Sequence, residues 1–172
     1  IEYALEFQTP LWLLSMDLRK AFDTIDHRAL FDSFRLHGIG DGYIILLKLL
    51  YTNQRGSANR SSFFPILRGV KQGDVLSAIL FNCVLDIAFA RWKARLHNEG
   101  LYIAHGLERL TNSRYADGVL VDAKSLNELK NMIEVLIEEL TAVRLIMNTK
   151  KNIILHTAFD DDHNNIDYVE IT

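Results

Sequence analysis

The sequence predicts one α+β domain in which helices pack on one face of an antiparallel sheet. Predicted strands and helices interleave along the chain without the strict alternation of a parallel α/β sheet. Of the 172 residues, 49% are hydrophobic, which is enough to fill one compact core. No apolar run reaches the ~18 residues that a membrane span needs, and no internal repeat divides the chain. We therefore expect an ordinary globular domain without a membrane partner.

The first predicted elements are a buried strand and an amphipathic helix. The run LWLLSMDL, residues 11–18, is short and apolar and predicts a strand that ends at Asp17. Asp26 is a suitable N-cap for the next helix, which has its apolar residues on one side and stops at Gly38.

An apolar segment and two extended segments follow. Residues 43–51, YIILLKLLY, are apolar nearly all round and predict a buried helix. Residues 57–69, SANRSSFFPILRG, predict a pair of extended segments. Pro65 confines its own segment to a sheet edge or a bend, because proline has no backbone N–H to donate.

The longest helix is predicted to begin after Asp74, a second N-cap residue, and to end at Gly100. Its apolar residues recur at helical spacing, at Leu76, Leu80, Val84, Ala88 and Trp92. Strand-like stretches follow at residues 101–104 and 114–122.

A further amphipathic helix and two short strands complete the pattern. Ser125 and Glu128 have the spacing of a capping box, and an apolar stripe runs behind them as far as Leu140. The segments RLIM, residues 144–147, and NIILH, residues 152–156, predict short strands on either side of the polar turn NTKK.

Charge is unevenly distributed along the chain, although the formal net charge is only -3. Residues 42–73 contain no acidic residue, and their basic residues are Lys48, Arg55, Arg60, Arg68 and Lys71. Residues 157–172 contain acidic residues and no Lys or Arg. A local basic stripe is what contacts with phosphate groups require. An ordinary solvated face is the alternative.

The cysteine content and the first residues bear on cellular location. Cys83 is the single cysteine, which excludes an internal disulfide and fits a reducing compartment. No secretory signal pattern opens the chain, and its first residue is Ile. We expect a piece of a longer intracellular product, in the nucleus or cytoplasm and not secreted.

Two segments contain the residues that could carry chemistry. In SMDLRKAFDTIDH, Asp17 ends a buried strand, where a carboxylate is costly unless it is paired, and a metal ion is one such partner. Asp23 and Asp26 follow, and all three could equally be helix caps or surface charges. In RGVKQGDVLSAILFN, Gly69 and Gly73 flank a basic turn that opens a helix. Such a turn favours an anion but is also an ordinary junction.

The order and spacing of four segments resemble motifs A to D of reverse transcriptases, most closely those of LINE-type, non-LTR retrotransposons. The segments are DLRKAFDTIDH for motif A, GVKQGDVLSAILFN for motif B, RYADG for motif C and LIMNTKK for motif D. The resemblance covers about residues 13–156. It implies RNA-directed DNA synthesis, in which a primer 3′-hydroxyl attacks the α-phosphate of a dNTP.

The resemblance implies a catalytic set of Asp17, Asp117 and Lys151. The two aspartates match the metal ligands of motifs A and C, and the expected metal is Mg²⁺, with Mn²⁺ as an alternative. Lys151 matches the motif D lysine, which suits the departing pyrophosphate as a counter-charge or proton donor. The residues expected to bind the substrate are Leu18, Phe22, Gln72, Gly73 and Tyr115.

The resemblance also implies how these residues select their partners. Phe22 matches the steric gate, whose ring packs where a ribose 2′-hydroxyl would lie and thereby favours deoxynucleotides. Asp23 and His27 belong to motif A but are expected to support the fold locally. The residues expected to contact an RNA template with its DNA primer are Arg55, Arg60, Arg68 and Lys71.

Motif C departs from the family pattern, which is Tyr-Ala-Asp-Asp. This chain has Tyr115, Ala116, Asp117 and Gly118. Asp-Gly between strand residues is a strong two-residue hairpin signal, so we expect the turn to remain at these positions. One of three carboxylates is missing, and a water cannot replace its charge. The second of two Mg²⁺ ions would therefore be held weakly, and we expect little or no polymerase activity.

Other positions also depart from the family. Ala78 stands where the family usually has Pro, Arg144 where it favours Gly, and Asn152 where it favours Thr or Ser. Together they are typical of a copy that is no longer held to catalytic function.

The resemblance implies a polymerase palm with part of the fingers over residues 1–156, followed by an acidic C-terminal tail over residues 157–172. Most of the fingers, the thumb and an endonuclease are expected elsewhere in a full-length product. Two alternatives stay open. One is a non-catalytic nucleic-acid-binding remnant, and the other is a plain structural domain in which Asp17 and Asp117 are unrelated surface residues.

Overall fold

The computed structural model describes residues 4, 6–57, 62–103, 108–115, 118–160 and 163–170, with side chains described as far as Thr157. The helices are α1 (Ala21–Thr24), α2 (His27–Leu36), α3 (Asp41–Tyr51), α4 (Val75–Arg95) and α5 (Leu126–Ala142). The strands are β1 (Trp12–Met16), β2 (Arg55–Gly56), β3 (Phe64–Pro65), β4 (Asn112–Tyr115), β5 (Gly118–Ala123), β6 (Ile153–Asp160) and β7 (His163–Glu170).

Five strands form one antiparallel sheet in the order β4-β5-β1-β6-β7. β1 is its centre, because Leu14 pairs with Val121 of β5 on one side and with Ile154 of β6 on the other. Leu14 and Met16 are buried in the main core with residues of α2, α4 and α5, whereas Leu13 belongs to a small cluster apart from that core. The predicted class, an antiparallel sheet with helices on one face, is confirmed.

Two predicted helix caps are confirmed. The Asp26 carboxylate accepts hydrogen bonds from the backbone N–H of Arg28 at 2.8 Å and of Ala29 at 3.3 Å, at the start of α2. The Asp74 carboxylate accepts one from the N–H of Leu76 at 3.0 Å, at the start of α4. Each side chain replaces a partner that the first turn of a helix lacks.

The capping box of α5 is only half formed. The N–H of Glu128 donates to Ser125 Oγ at 3.2 Å, as predicted. The Glu128 carboxylate instead accepts from the N–H of Gly100 at 2.7 Å and of Lys124 at 3.1 Å. Glu128 thus links the segment that follows α4 to the start of α5. The predicted end of α4 at Gly100 is wrong, because the helix ends at Arg95 and Gly100 lies in the segment that follows it.

The core is built around α4, as its apolar spacing predicts. Val84, Ala88 and Trp92 have no exposed surface, and Leu80 is 3% exposed. The Trp92 indole N–H donates to the carbonyl of Met132 in α5 at 2.8 Å, so the ring has a polar partner within the core. α4 is long and apolar enough to cross a membrane by length and composition alone, but its packing is that of a core helix.

The prediction that residues 43–51 form a buried helix is right about the helix and wrong about its burial. Ile44 is 1% exposed, whereas the exposed apolar residues of α3 are Tyr43, Ile45, Leu46, Leu49 and Leu50. Composition measures how well a side chain suits an apolar environment. Burial also requires another part of the protein to cover the helix, and α3 packs chiefly against α2, which covers only one of its sides.

Two other predicted strands differ from the structure. RLIM forms a single bridge between Met147 and Leu18, because the chain after α5 turns through a left-handed residue, Arg144, with φ 61°. Among the described residues 57 and 62–69, only Phe64–Pro65 is a strand, and it pairs with Arg55–Gly56 in a two-stranded ribbon.

The segment predicted as an acidic tail contains the end of β6 and all of β7. Ile153 pairs with Glu170 and Asp160 with His163, so the two strands run antiparallel and extend the sheet beyond β1. The boundary predicted between residues 156 and 157 stays a prediction, but it falls within a continuous strand.

Candidate active site

The end of β1 lies beside the hairpin that joins β4 to β5. Met16, the last residue of β1, pairs with Val119 of β5, and Asp17 follows Met16 directly. The predicted motif A carboxylate therefore lies at the same edge of the sheet as the hairpin of the predicted motif C. Antiparallel pairing makes this inevitable, because β1 ends where β5 begins.

The hairpin is displaced by one position from the predicted turn. Tyr115 pairs with Gly118, so Gly118 is the first residue of β5 and not part of the connection. The predicted β4–β5 hairpin is present, but its connection is not Asp117–Gly118, because the pairing of β5 with β1 and β4 fixes the register. The connecting residues, 116 and 117, lie outside the described residues, so the metal-binding role of Asp117 stays a prediction. Tyr115 is 90% exposed.

Asp17 is held against the loop that follows α5. Its carbonyl oxygen accepts a hydrogen bond from the N–H of Asn148 at 2.9 Å, and its Oδ2 accepts one from Asn148 Nδ2 at 3.2 Å. Lys151 Nζ lies 3.2 Å from the same Oδ2. The Asp17 side chain is 29% exposed and that of Lys151 is 69% exposed, so the pair stands at the surface and not in the core.

A cavity of about 420 Å³ opens beside this pair. The predicted site residues in its wall are Asp17, Leu18, Phe22, Gln72 and Lys151. The fold thus brings together residues from the predicted motifs A, B and D. Leu18 is only 4% exposed, because its side chain belongs to the core, so it has little more than backbone to offer a ligand.

Four polar residues of the same wall were not among the predicted site residues: Arg19, Lys20, Asp23 and Asn148. Arg19 and Lys20 follow Asp17 directly in sequence, and that adjacency could have identified them. Asn148 gave no local signal, because it is 131 positions away from the carboxylate that it contacts. With Lys151, the two additional basic residues bring three cations to a wall that also contains the carboxylates of Asp17 and Asp23.

Phe22 is fixed by stacking on a core aromatic ring. Its ring centroid lies 4.9 Å from that of Phe81, with 26° between the ring planes, and Phe81 is 1% exposed. A neighbouring cavity shares Phe22 and Gln72 with the first and includes Gly73. Gly73 has φ +90°, and a Cβ there would have open space around it, so conformation and not crowding favours glycine.

The segments resembling motifs A and B are joined through their backbones. Gly69 has φ +87°, and a Cβ on it would lie 2.9 Å from the carbonyl oxygen of Asp23, so only glycine fits this contact. The N–H of Val70 donates to the carbonyl of Phe22 at 2.7 Å. His27 Nε2 lies 2.8 Å from the Gly69 carbonyl oxygen, in agreement with the expected supporting role of His27.

Three of the four predicted nucleic-acid residues line one groove. Arg55, Arg68 and Lys71 surround a cavity of about 630 Å³, which shares Asp23 and Gln72 with the cavity beside Asp17. The basic groove, as we call these residues, is therefore continuous with the candidate site. The fourth residue, Arg60, lies outside the described residues.

Comparison with known proteins decides the family. The sequence model described as "Reverse transcriptase (RNA-dependent DNA polymerase)" matches residues 2–169. This chain belongs to the reverse transcriptase family. It is the reverse transcriptase domain of a LINE-type, non-LTR retrotransposon, as its similarity to other retrotransposon polyproteins shows.

Two such relatives are retrovirus-related Pol polyproteins. That of the type-2 element R2DM from Drosophila melanogaster is 29% identical over 145 residues, which cover 81% of this chain. That of the type-1 element R2 from Popillia japonica is 42% identical over 78 residues, which cover 43% of the chain. In each case the match spans only 13% of the relative's own length.

Solved structures support the fold at low sequence identity. A telomerase from Candida albicans, in complex with a TWJ fragment of telomeric RNA, matches with a TM-score of 0.64 at 13% identity. The match covers 95% of this chain and 29% of that chain. An apo telomerase from Candida tropicalis matches with a TM-score of 0.59 over 98% of this chain and 35% of that one.

The donor set at Asp17 suits one hard cation. Its carboxylate is the ligand type that Mg²⁺ prefers, it is accessible from the cavity, and it already holds the ammonium of Lys151 as a counter-charge. Among the residues that the structure describes, no group of three or more His, Cys, Asp or Glu could hold a metal ion. A cation at Asp17 would therefore need further ligands from other donors, such as water or a substrate.

The backbone at Gly118 does not require glycine. Its φ lies outside the left-handed region, and an added Cβ would have Tyr115 O as its nearest neighbour, at 3.3 Å. A carboxylate side chain could therefore be placed here with a shift of a few tenths of an ångström. Arg144 is the opposite case, because its φ of 61° explains why the family favours glycine at that position.

Proposed function

We propose that this domain carries, in weakened form, the chemistry of RNA-directed DNA synthesis. A primer 3′-hydroxyl would attack the α-phosphate of a dNTP, a new P–O bond would form, and pyrophosphate would leave. One observation carries the proposal. Asp17, at the end of the central strand and beside the β4–β5 hairpin, shares a cavity with Phe22, Gln72 and Lys151.

Each of these residues has a role that suits its position. Phe22, fixed by its stacking on Phe81, would stand against the sugar and exclude a 2′-hydroxyl, because it offers that hydroxyl no polar partner. Gln72 and Gly73 would lie against the template and the incoming base, and the Leu18 backbone and Tyr115 would complete the pocket. Lys151 would place a proton or positive charge at the leaving pyrophosphate.

Asp17 and Asp117 would hold the metal ion. Bound Mg²⁺ would supply charge stabilisation for the triphosphate and lower the pKa of the primer hydroxyl. Because Gly118 has no side-chain oxygen, the set lacks one negative charge for a second ion. We infer that the affinity for that ion is low and that turnover is slow.

The basic groove would hold the RNA template with its DNA primer. Arg55, Arg68 and Lys71 lie around one cavity next to the site, and Arg60 follows in the same acid-free segment. Phosphate contacts of this kind are independent of base sequence. The larger polyproteins similar to this chain motivate a longer intracellular product with fingers, thumb and endonuclease around a palm at residues 1–156 and an acidic extension at residues 157–172.

A second function, nucleic-acid binding without turnover, is favoured by one observation. Gly118 removes a carboxylate from the site, whereas the basic groove is retained.

Primer extension and binding measured on the same preparation separate the two functions. Slow cDNA synthesis with Mg²⁺ or Mn²⁺ that Asp17→Asn abolishes supports the enzyme. Asp41→Asn is the matched control, because Asp41 is an exposed aspartate at the start of α3 that lines neither the cavity beside Asp17 nor the basic groove. Tight binding of a primer–template with no extension by the wild-type chain supports the binding module. Extension that survives Asp17→Asn contradicts the proposed site.

A further inference from the structure

The cation position at Asp17 is already occupied by a side chain of the protein. Lys151 Nζ lies 3.2 Å from Asp17 Oδ2, the same oxygen that accepts a hydrogen bond from Asn148 Nδ2. Arg19 and Lys20 line the same cavity, yet neither is within ion-pair distance of Asp17. The contact is therefore selective for Lys151, although two other cations are nearer in sequence.

We propose that Lys151 is the resident counter-ion of Asp17, that a divalent cation displaces it, and that the displaced ammonium turns to the phosphate-binding side of the cavity. This inference rests on the proposed function, because it takes Asp17 to be a metal ligand. It adds a coupling between two events. Entry of the metal ion favours release of Lys151 towards the triphosphate.

The backbone around the pair is fixed, so the exchange needs only a side-chain movement. The N–H of Asn148 donates to the Asp17 carbonyl at 2.9 Å, and the N–H of Lys151 donates to the Asn148 carbonyl at 3.0 Å. These bonds tie the loop to the end of β1 whether or not the ammonium is in place. The Lys151 side chain itself is 69% exposed, so it can rotate into solvent without disturbing the core.

Electrostatics makes the two occupants compete. An ammonium and a divalent cation at one carboxylate oxygen would repel each other, and that repulsion is strong at contact distance near a protein surface. Asn148 differs, because its amide is neutral and can keep its hydrogen bond to Oδ2 during the exchange. The cavity wall beyond the pair holds Arg19 and Lys20, which would direct a triphosphate to the place that Lys151 then reaches.

Mn²⁺ affinity tests the competition directly and needs no catalytic turnover. The 172-residue chain and its variants are titrated with Mn²⁺, and free Mn²⁺ is measured by electron paramagnetic resonance. Lys151→Met removes the competitor and is expected to raise the affinity about two- to fivefold, as the usual strength of an exposed ion pair implies. Lys150→Met is the matched control, since it removes the same charge from the adjacent residue, and is expected to leave the affinity within a factor of about 1.5.

Lysine reactivity tests the release itself. Acetylation of Lys151 and Lys150 is followed by tandem mass spectrometry as Mg²⁺ is added. Because coupling between two bound cations is reciprocal, Mg²⁺ is expected to speed Lys151 acetylation by about the same two- to fivefold, with no change at Lys150. The Lys151 rate should lose its Mg²⁺ dependence in Asp17→Asn.

The outcomes separate the inference from the function on which it rests. If Asp17→Asn loses Mn²⁺ but Lys151→Met binds it no better than wild type, the exchange is wrong and the metal site stands. An equal gain of Mn²⁺ affinity in Lys150→Met also overturns the exchange, since the loss of one positive charge anywhere near the site would then account for the gain. If the wild-type chain binds no Mn²⁺, or Asp17→Asn binds it unchanged, both the exchange and the proposed metal site fail.

Discussion

Gly118→Asp, which restores the motif C pair, should weaken the domain slightly without metal and strengthen it with metal. The φ of Gly118 is not left-handed, and among the described residues the nearest neighbour of an added Cβ is Tyr115 O at 3.3 Å, which must move by a few tenths of an ångström. Replacing a strand glycine contributes about 0.5–1 kcal/mol. Repulsion from neighbouring carboxylates such as Asp17 opposes this by about 1–2 kcal/mol at a solvent-exposed edge.

The expected net effect in EDTA is a loss of up to about 1.5 kcal/mol, or a fall in Tm of up to about 3–6 °C for a domain of this size. An added carboxylate should raise Mg²⁺ affinity about tenfold, which is worth about 1.4 kcal/mol at saturation. Thermal unfolding without Mg²⁺ measures the loss of stability, and thermal unfolding with about 10 mM Mg²⁺, a level that suits weak sites, measures the added stabilisation by the metal. Primer extension then reports whether turnover is recovered.

Gly118→Asn is the matched control, because it has nearly the same shape without the charge. It should reproduce the steric and entropic part of the change and show no additional Mg²⁺ response. If Gly118→Asp gains no more stability from Mg²⁺ than Gly118→Asn does, residue 118 does not face the cation, and the explanation of the weakened site by a missing carboxylate is refuted.

Three further predictions concern stability and nucleic-acid binding. Burial raises the pKa of Asp122 to about 6 from 3.8, so the contribution of this group to stability should be fully present below about pH 4 and should be lost, by roughly 2–3 kcal/mol, as pH rises through 6. Urea unfolding of Asp122→Asn, compared with wild type across this range, should lack this loss. Arg144→Gly should raise the free energy of unfolding by about 0.5–1 kcal/mol. The variant relieves the strain of the left-handed φ, which is worth more than the exposed ion pair with Asp26 that it loses. An unchanged midpoint of urea unfolding would contradict this. The double variant Arg68→Ala/Lys71→Ala should weaken binding to every primer–template, and the slope of log binding constant against log salt concentration should fall in magnitude by about 1–2. A loss of affinity for one nucleotide sequence alone would indicate base contacts instead.

The local part of the fold could be predicted from sequence because it depends on neighbours along the chain. Asp26 and Asp74 cap helices through N–H groups two or three residues away. The spacing of apolar residues in α4 matches the face that is buried, with Val84 and Trp92 at its centre. The central strand also follows from one short apolar run, and it ends at Met16, one residue before the predicted end at Asp17.

The failures share a different cause. α3 is apolar enough to be buried, but burial needs a covering surface, and Leu46 and Leu50 are exposed in the described domain. The Asp117–Gly118 turn has the right local chemistry, yet the pairing of β5 with β4 and β1 places Gly118 in the strand. In both cases a distant surface or strand outweighed a local preference.

The amino-acid order by itself determined the family, the motifs and the residue types available for chemistry, because those depend on identity and spacing along the chain. Only the tertiary structure decided which of these residues meet. Lys151 could be placed in motif D from sequence, but its contact with Asp17 exists because β1 pairs with β6 and the loop after α5 folds back over the end of β1. Such contacts join residues far apart in sequence, so their geometry is set by strand register and core packing and not by local propensity.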